Sequence, residues 1–323
     1  MRATTKRVDV VGVGLNATDT IIRLPHFPAF DTKVELLSAD IRAGGQVASA
    51  MVACQRWGLR TRYIGTVGDD AAAEFQAAEL KRERVEAHLF SAPNCPSQIA
   101  YILVDEQSGE RTIIWKRDRR LELRADQIRK EWITRAQALL VDAHDTEAAA
   151  AAGRIAREAG IPVVADIDNL YPGVQAALEQ VDFLFASKDF PARLTGENDL
   201  LKALPEIHGK FKYRLTGATL GNLGAIAWDG DKFLLCPGFQ VKAEDTTGAG
   251  DIFHGAIVYG LLKSWTVQRM LEFSCAAAAL ACTAVGARAG IASVRKIENL
   301  MRCGARSEAA YRPEQLKSFR RSA

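Results

Sequence analysis

No Cys-x-x-Cys pair, no apolar run long enough to span a bilayer and no large excess of one charge occurs in these 323 residues. Each absence excludes a class. The six cysteines, at 54, 95, 236, 275, 282 and 303, are scattered and do not cluster with the five histidines, so neither a zinc site nor a disulfide framework is signalled. Reduced thiols in a cytoplasmic protein are expected instead. The longest small-apolar stretch, Cys275 to Ala287, is Ala-rich and interrupted by Thr283 and Gly286, which suits a close-packed buried helix and not a membrane span. The net charge of +3 is too small for a polyanion-binding surface, although Arg320-Arg321 is locally basic, so nucleic acid is not an expected partner. Met1 to Val8 carries basic residues, but the short run after it contains Asp9 and reads as a strand, not an export signal. There is no internal repeat and no Pro/Ser linker, and a single domain over residues 1–323 is expected.

What is present is a globular balance, 48% hydrophobic and 25% charged residues, enough for a sizeable core. Short apolar strands read at Val8 to Val13, Tyr63-Ile64, Ala138 to Val141, Ile161 to Ala165 and Asp182 to Phe185. Between them, Ala48 to Trp57, Ala71 to Arg84, Glu147 to Ala159 and Val174 to Gln180 have apolar residues at helical spacing. Strand and helix therefore alternate as in a doubly wound, Rossmann-like parallel sheet of the α/β class. Two β-rich stretches break the alternation: Lys33 to Arg42, and a hairpin over Gln98 to Lys116 with its turn at Glu106 to Gly109. Strands that cannot enter a parallel sheet pack elsewhere, so a small β-lid over one edge is expected, with strands in about 20–42 and 97–117. Asp229-Gly230 signals a further hairpin late in the sheet.

The segment richest in chemistry is Asp245-Thr246-Thr247-Gly248-Ala249-Gly250-Asp251, followed by a helical stretch from Ile252 to Leu262. Glycines before a helix let the backbone approach a ligand, and the N–H groups of Gly248, Ala249, Gly250 and Asp251 would face an anion there, reinforced by the helix dipole. A carboxylate in the same turn repels a bound phosphate unless it has a task. The natural task for Asp251 is to take a proton from a hydroxyl as that oxygen attacks a γ-phosphate. The plain alternative is a Gly-rich turn with an acidic residue at a helix N-terminus, which the dipole favours anyway.

Asp245 to Asp251 resembles the second signature of the PfkB (ribokinase-like) carbohydrate kinase family. The first signature is resembled by Gly44-Gly45-Gln46-Val47-Ala48-Ser49, running on to Gly58-Leu59 and Ile64 to Asp70. The likeness runs from about Val8 to Gly290. It implies a ribokinase-like fold with a β-lid, ATP with Mg²⁺, and γ-phosphoryl transfer to a sugar hydroxyl, usually a primary CH₂OH. It implies Asp251 as base, with Gly248, Ala249 and Gly250 stabilising the transferring phosphate. Thr219 and Gly221 would meet the nucleotide, together with Thr247, Gly248 and Gly250. No direct protein ligand to a metal is assigned, and a monovalent cation requirement is left open. The resemblance further implies that Asp19 and the backbone of Gly44 and Gly45 hold sugar hydroxyls, and it admits a homodimer through the lid.

The pattern Thr246 to Asp251, Phe253-His254-Gly255 and Arg288 to Ile291 is most similar to the sulfofructose kinase subgroup. Ser49 stands where many relatives carry a sugar-binding Asn, and Ser187 to Phe190 replaces the family's Asn-x-x-Glu motif. Of the subgroup's three sulfonate-binding positions, Lys33 is kept, while Trp115 and His144 replace the other two, which favours a neutral or differently charged sugar. An acidic or phosphorylated sugar stays open if Lys33, Arg42 and Lys116 converge. Lys33, Trp115 and His144, with Ser49, complete the candidate sugar contacts. Two further readings stand beside the kinase: a dinucleotide-dependent dehydrogenase on Gly12-Val13-Gly14-Leu15-Asn16-Ala17, and a catalytically weak sugar or nucleotide sensor on the same fold.

Overall fold

Thirteen strands and eleven α-helices are arranged along the chain in the computed structural model, which describes residues 7–317. The strands are β1 (Val10–Val13), β2 (Ala17–Leu24), β3 (Ser38–Gly44), β4 (Thr61–Val67), β5 (Glu86–Ser91), β6 (Ile99–Asp105), β7 (Arg111–Lys116), β8 (Ala138–Val141), β9 (Val163–Ile167), β10 (Phe183–Ser187), β11 (Leu215–Thr219), β12 (Ala225–Trp228) and β13 (Phe233–Cys236). Nine of them form one sheet in the order β13-β12-β11-β10-β9-β8-β1-β4-β5. The runs Val10–Val13, Ala138–Val141 and Val163–Ile167 are buried at every position, as strands covered by helices on both faces must be. The sheet is mixed, not wholly parallel. The Asp229-Gly230 turn returns β13 antiparallel to β12, which itself runs antiparallel to β11.

Two apolar clusters fill the layers on either side. One packs the helices Gln46–Arg56, Ala249–Leu262 and Val267–Ala281 on one face, and the other packs Thr146–Glu158 and its neighbours on the opposite face. Strand order reverses at β1, which has β4 on one side and β8 on the other. In open α/β sheets such a switch point leaves a crevice beyond the carboxyl ends of the strands.

The second sheet, β3-β2-β6-β7, stands over that crevice. Its β6–β7 hairpin falls in the expected stretch, with Ile99 opposite Lys116 through Val104 opposite Arg111. The other half corrects the sequence reading, because the strand begins at Ser38, and Lys33 lies in an exposed loop before it. Its partner β2 ends at Leu24, before Pro25, which brings no N–H; Leu37 N still donates to Arg23 O at 2.8 Å, and Lys33 to Leu36 lie outside the ladder. Asp19 is neither a helix cap nor a turn cap. It lies within β2, between Arg42 of β3 and Ala100 of β6.

Candidate active site

A cavity of about 430 Å³ opens where the carboxyl ends of β1, β8, β9, β10 and β11 meet the underside of the lid. Its lining runs from Leu15 through His144, Asp166, Asp168, Ser187 and Thr219 to Thr247, Gly248, Gly250 and Asp251. The last group belongs to a tightly organised loop. Asp245, fully buried, accepts at Oδ1 from Thr247 N (2.8 Å) and Thr247 Oγ1 (2.6 Å), and at Oδ2 from Gly286 N (2.8 Å). Gly248 follows in the left-handed region at φ +77°, and a Cβ there would lie 2.6 Å from Ala287 Cα. Only glycine fits both conditions. The helix Ala249–Leu262 then begins, so Gly250 and Asp251 carry first-turn N–H groups with no intrahelical acceptor. Ala249 differs from the expectation: its N–H turns back to Thr246 O at 3.3 Å, and the residue does not line the cavity.

Carboxylates dominate the floor. Burial and the neighbouring carboxylates of Asp166 and Asp19 push the Asp251 carboxyl well above its ordinary pKa. Asp166 is raised by burial and by Asp168. Burial raises Asp19 to about 6, with nearby Arg288 working against the shift. Asp19 packs against Gly44 so closely that any side chain there would strike its carboxylate. One helical turn beyond Asp251, His254 places Nδ1 2.7 Å from Gly250 O and 3.2 Å from Asp166 Oδ2, and Nε2 2.9 Å from Phe185 O. Burial pulls its pKa down; a neutral ring has one N–H, which goes to Gly250 O or to Phe185 O, and the ring sits between the anion loop, β9 and β10.

The lid supplies the roof. Arg111, Ile113 and Trp115 line the cavity from alternate positions of β7. Arg111 donates from Nη1 to Thr246 Oγ1, joining the lid to the anion loop. Trp115 meets the His144 ring edge-on at 5.8 Å, and His144 meets Tyr171 at 4.4 Å, making an aromatic corner. Burial, then Arg117, lowers His144 to about 4, so its ring is neutral near pH 7. Behind it, Arg117 at the foot of the lid pairs with Asp145 at 2.8 Å, both largely buried.

Of the residues singled out from sequence, Asp19, Gly45, Trp115, His144, Thr219, Thr247, Gly248, Gly250 and Asp251 share this cavity. Lys33, Gly44, Ser49 and Gly221 do not line it. Ser49 is fully buried and accepts from Arg288 Nε at 3.2 Å, while Gly221 opens an exposed turn beyond β11. Lys116 alternates with Trp115 and so takes the opposite face of β7. Asp166, Asp168, Arg111, Tyr171 and His254 were missed as site residues. The first two were findable, since Asp166 directly follows the predicted strand Ile161 to Ala165 and Asp168 comes two residues later; Tyr171 left no signal.

The family model for pfkB family carbohydrate kinases matches residues 8–293. An ATP-dependent ribose-1-phosphate kinase of Halopiger xanaduensis is 27% identical over 290 residues, covering 87% of this chain and 94% of that one. A ribokinase of Haemophilus influenzae is 26% identical over 295 residues, covering 88% and 95%. Among solved structures, a candidate ribokinase from Agrobacterium tumefaciens superposes with a TM-score of 0.86 at 28% identity, covering 92% of this chain and 98% of its own.

Proposed function

Because the chain belongs to the pfkB family of carbohydrate kinases, we propose that it transfers the γ-phosphoryl group of ATP to a primary CH₂OH of a sugar or sugar derivative, with Asp251 as general base. Membership removes the dehydrogenase reading of Gly12 to Ala17. The observation that carries the mechanism is the position of Asp251, in the turn whose free N–H groups would face the phosphate, at the floor of a cavity shared with Asp19. A hydroxyl held by Asp19 and the backbone at Gly45 gives its proton to Asp251 while its oxygen bonds to the γ-phosphorus. The bond from that phosphorus to ADP breaks, and charge on the transferring group faces Gly250, Asp251 and the helix N-terminus. The raised pKa of Asp251 makes it a stronger proton acceptor once ionised. Arg111 is placed to offset charge from the lid side.

Magnesium fits here as a ligand of the nucleotide. Among the described residues, no group of three His, Cys, Asp or Glu could hold a metal ion, and Asp168 is the exposed carboxylate at the cavity. Held by the nucleotide on the side of Asp168, the ion would offset the charge of the phosphates. The likeness to the sulfofructose kinase subgroup lies in the anion loop and in Arg288 to Ile291, which is machinery and not substrate contact. A cytoplasmic location is part of the proposal, supported by six free thiols. No helix among the described residues is long and apolar enough to cross a membrane.

Ile41, Tyr101 and Ile114 form a cross-strand row on the outer lid face, joined through Thr20, and all three are exposed. We place a homodimer contact there.

The test is ADP release with ATP and Mg²⁺ across sugars and nucleosides, with and without EDTA and added potassium. Acceptor-dependent, EDTA-sensitive ADP release supports the reading, whereas acceptor-independent hydrolysis alone refutes it.

A further inference from the structure

The cations that the sequence offered for an acidic substrate do not converge. Lys33 is in an exposed loop, and Lys116 is on the outer face of the lid. Arg42 lines a separate cavity of about 280 Å³ on the other side of β3, with Asp40 3.3 Å from its guanidinium. Among the described residues, Arg111 is the one Lys or Arg that lines the main cavity, and it is engaged with Thr246 at the phosphate end. Against it stand four carboxylates: Asp19, Asp166, Asp168 and Asp251. Counting His254 with Arg111 still leaves four acidic groups against two basic ones, and that ring already contacts Asp166. The end away from the anion loop is closed by Trp115, His144 and Tyr171, which offer ring faces and edges but no charge.

We infer that the acceptor is uncharged: a polyhydroxylated ring with an apolar face that packs on the aromatic corner, bearing no phosphate, sulfonate or carboxylate. The inference rests on the kinase reading and deepens it. An acidic substituent would enter a low-dielectric site already crowded with carboxylates, beside a nucleotide whose phosphates outweigh the charge of one magnesium ion. The one guanidinium of the lining, Arg111, stands at the phosphate end on Thr246, four residues along β7 from the Trp115 corner. A neutral ring loses nothing of this kind. Its hydroxyls find acceptors in the carboxylates, and its C–H face finds the indole.

The experiment compares acceptors that differ by one acidic group while keeping a free CH₂OH: ribose against ribose 1-phosphate, fructose against fructose 6-phosphate, and a nucleoside arm to separate free sugars from glycosylated ones. The neutral member of the preferred pair is expected to have a kcat/KM at least about tenfold higher. The gap should narrow in Asp168→Asn, because one repelling carboxylate is removed. Equal or better use of the charged member overturns the inference. Thermal shift with a non-hydrolysable ATP analogue reads the same pairs without turnover. If no acceptor yields ADP, the kinase reading falls, and the shift still decides the charge claim: stabilisation by the neutral member alone upholds it, and stabilisation by the charged member, or by neither, sinks it.

Discussion

Asp251 and Asp19 share one floor, and burial raises both carboxyl groups, Asp19 to about 6. A carboxyl with a raised pKa is protonated, and so unable to accept a proton or bind hydroxyls as a carboxylate, until the pH passes that value. kcat/KM should therefore fall as pH drops through about 6, well above the ordinary carboxylate range. A pH–rate profile that stays flat to about pH 5 would show that neither group keeps a raised pKa in the working enzyme. Gly248 is the other residue on which the loop depends. Gly248→Ala must hold φ at +77° with a Cβ against Ala287, and it should cost about 1–3 kcal/mol of stability and lower kcat, read by urea melts and steady-state rates. An unchanged melt would mean that the loop relaxes around the methyl group.

The lid is the element whose placement decides specificity, and Arg117 anchors it. Replacing one partner of a buried ion pair leaves the other charge uncompensated, so Arg117→Met should destabilise the fold by about 3–5 kcal/mol in urea unfolding. A loss under about 1 kcal/mol would show that water reaches Asp145 and that the tether is weak. Trp115→Ala should change the ranking of acceptors by kcat/KM without equal loss on all of them, measured over the acceptor panel. Uniform loss would make Trp115 a packing residue only. Core strands such as Ala138–Val141 were legible because burial on both faces leaves an unbroken apolar run. β2 was legible only in its second half, within the lid range from about 20: Ala17–Leu24 mixes Thr and Asp with Ile, and it extends because β3 and β6 flank it. The same limit hid the fate of Ser49, whose partner Arg288 lies 239 residues away, and the outward turn of Lys116, which depends on strand phase.

At the scale of the whole molecule, sheet order explains why residues scattered from Asp19 to Asp251 meet. Reversal at β1 opens a crevice, five strand ends deliver side chains into it, and the lid covers it. The exposed row Ile41, Tyr101 and Ile114 predicts self-association, so sedimentation at micromolar concentration should give a dimer that Tyr101→Glu dissociates. A strict monomer would remove that contact and leave the catalytic account standing. The central claim is that Asp251 removes the acceptor's proton within an intact nucleotide site. Rapid-quench single turnover of wild type and Asp251→Asn, with enzyme in excess over ATP and a saturating neutral acceptor that the wild type phosphorylates, tests it most directly. The account predicts a rate roughly 10²- to 10⁴-fold lower in the variant with ATP affinity little changed. Near-wild-type phosphoryl transfer by Asp251→Asn would contradict it.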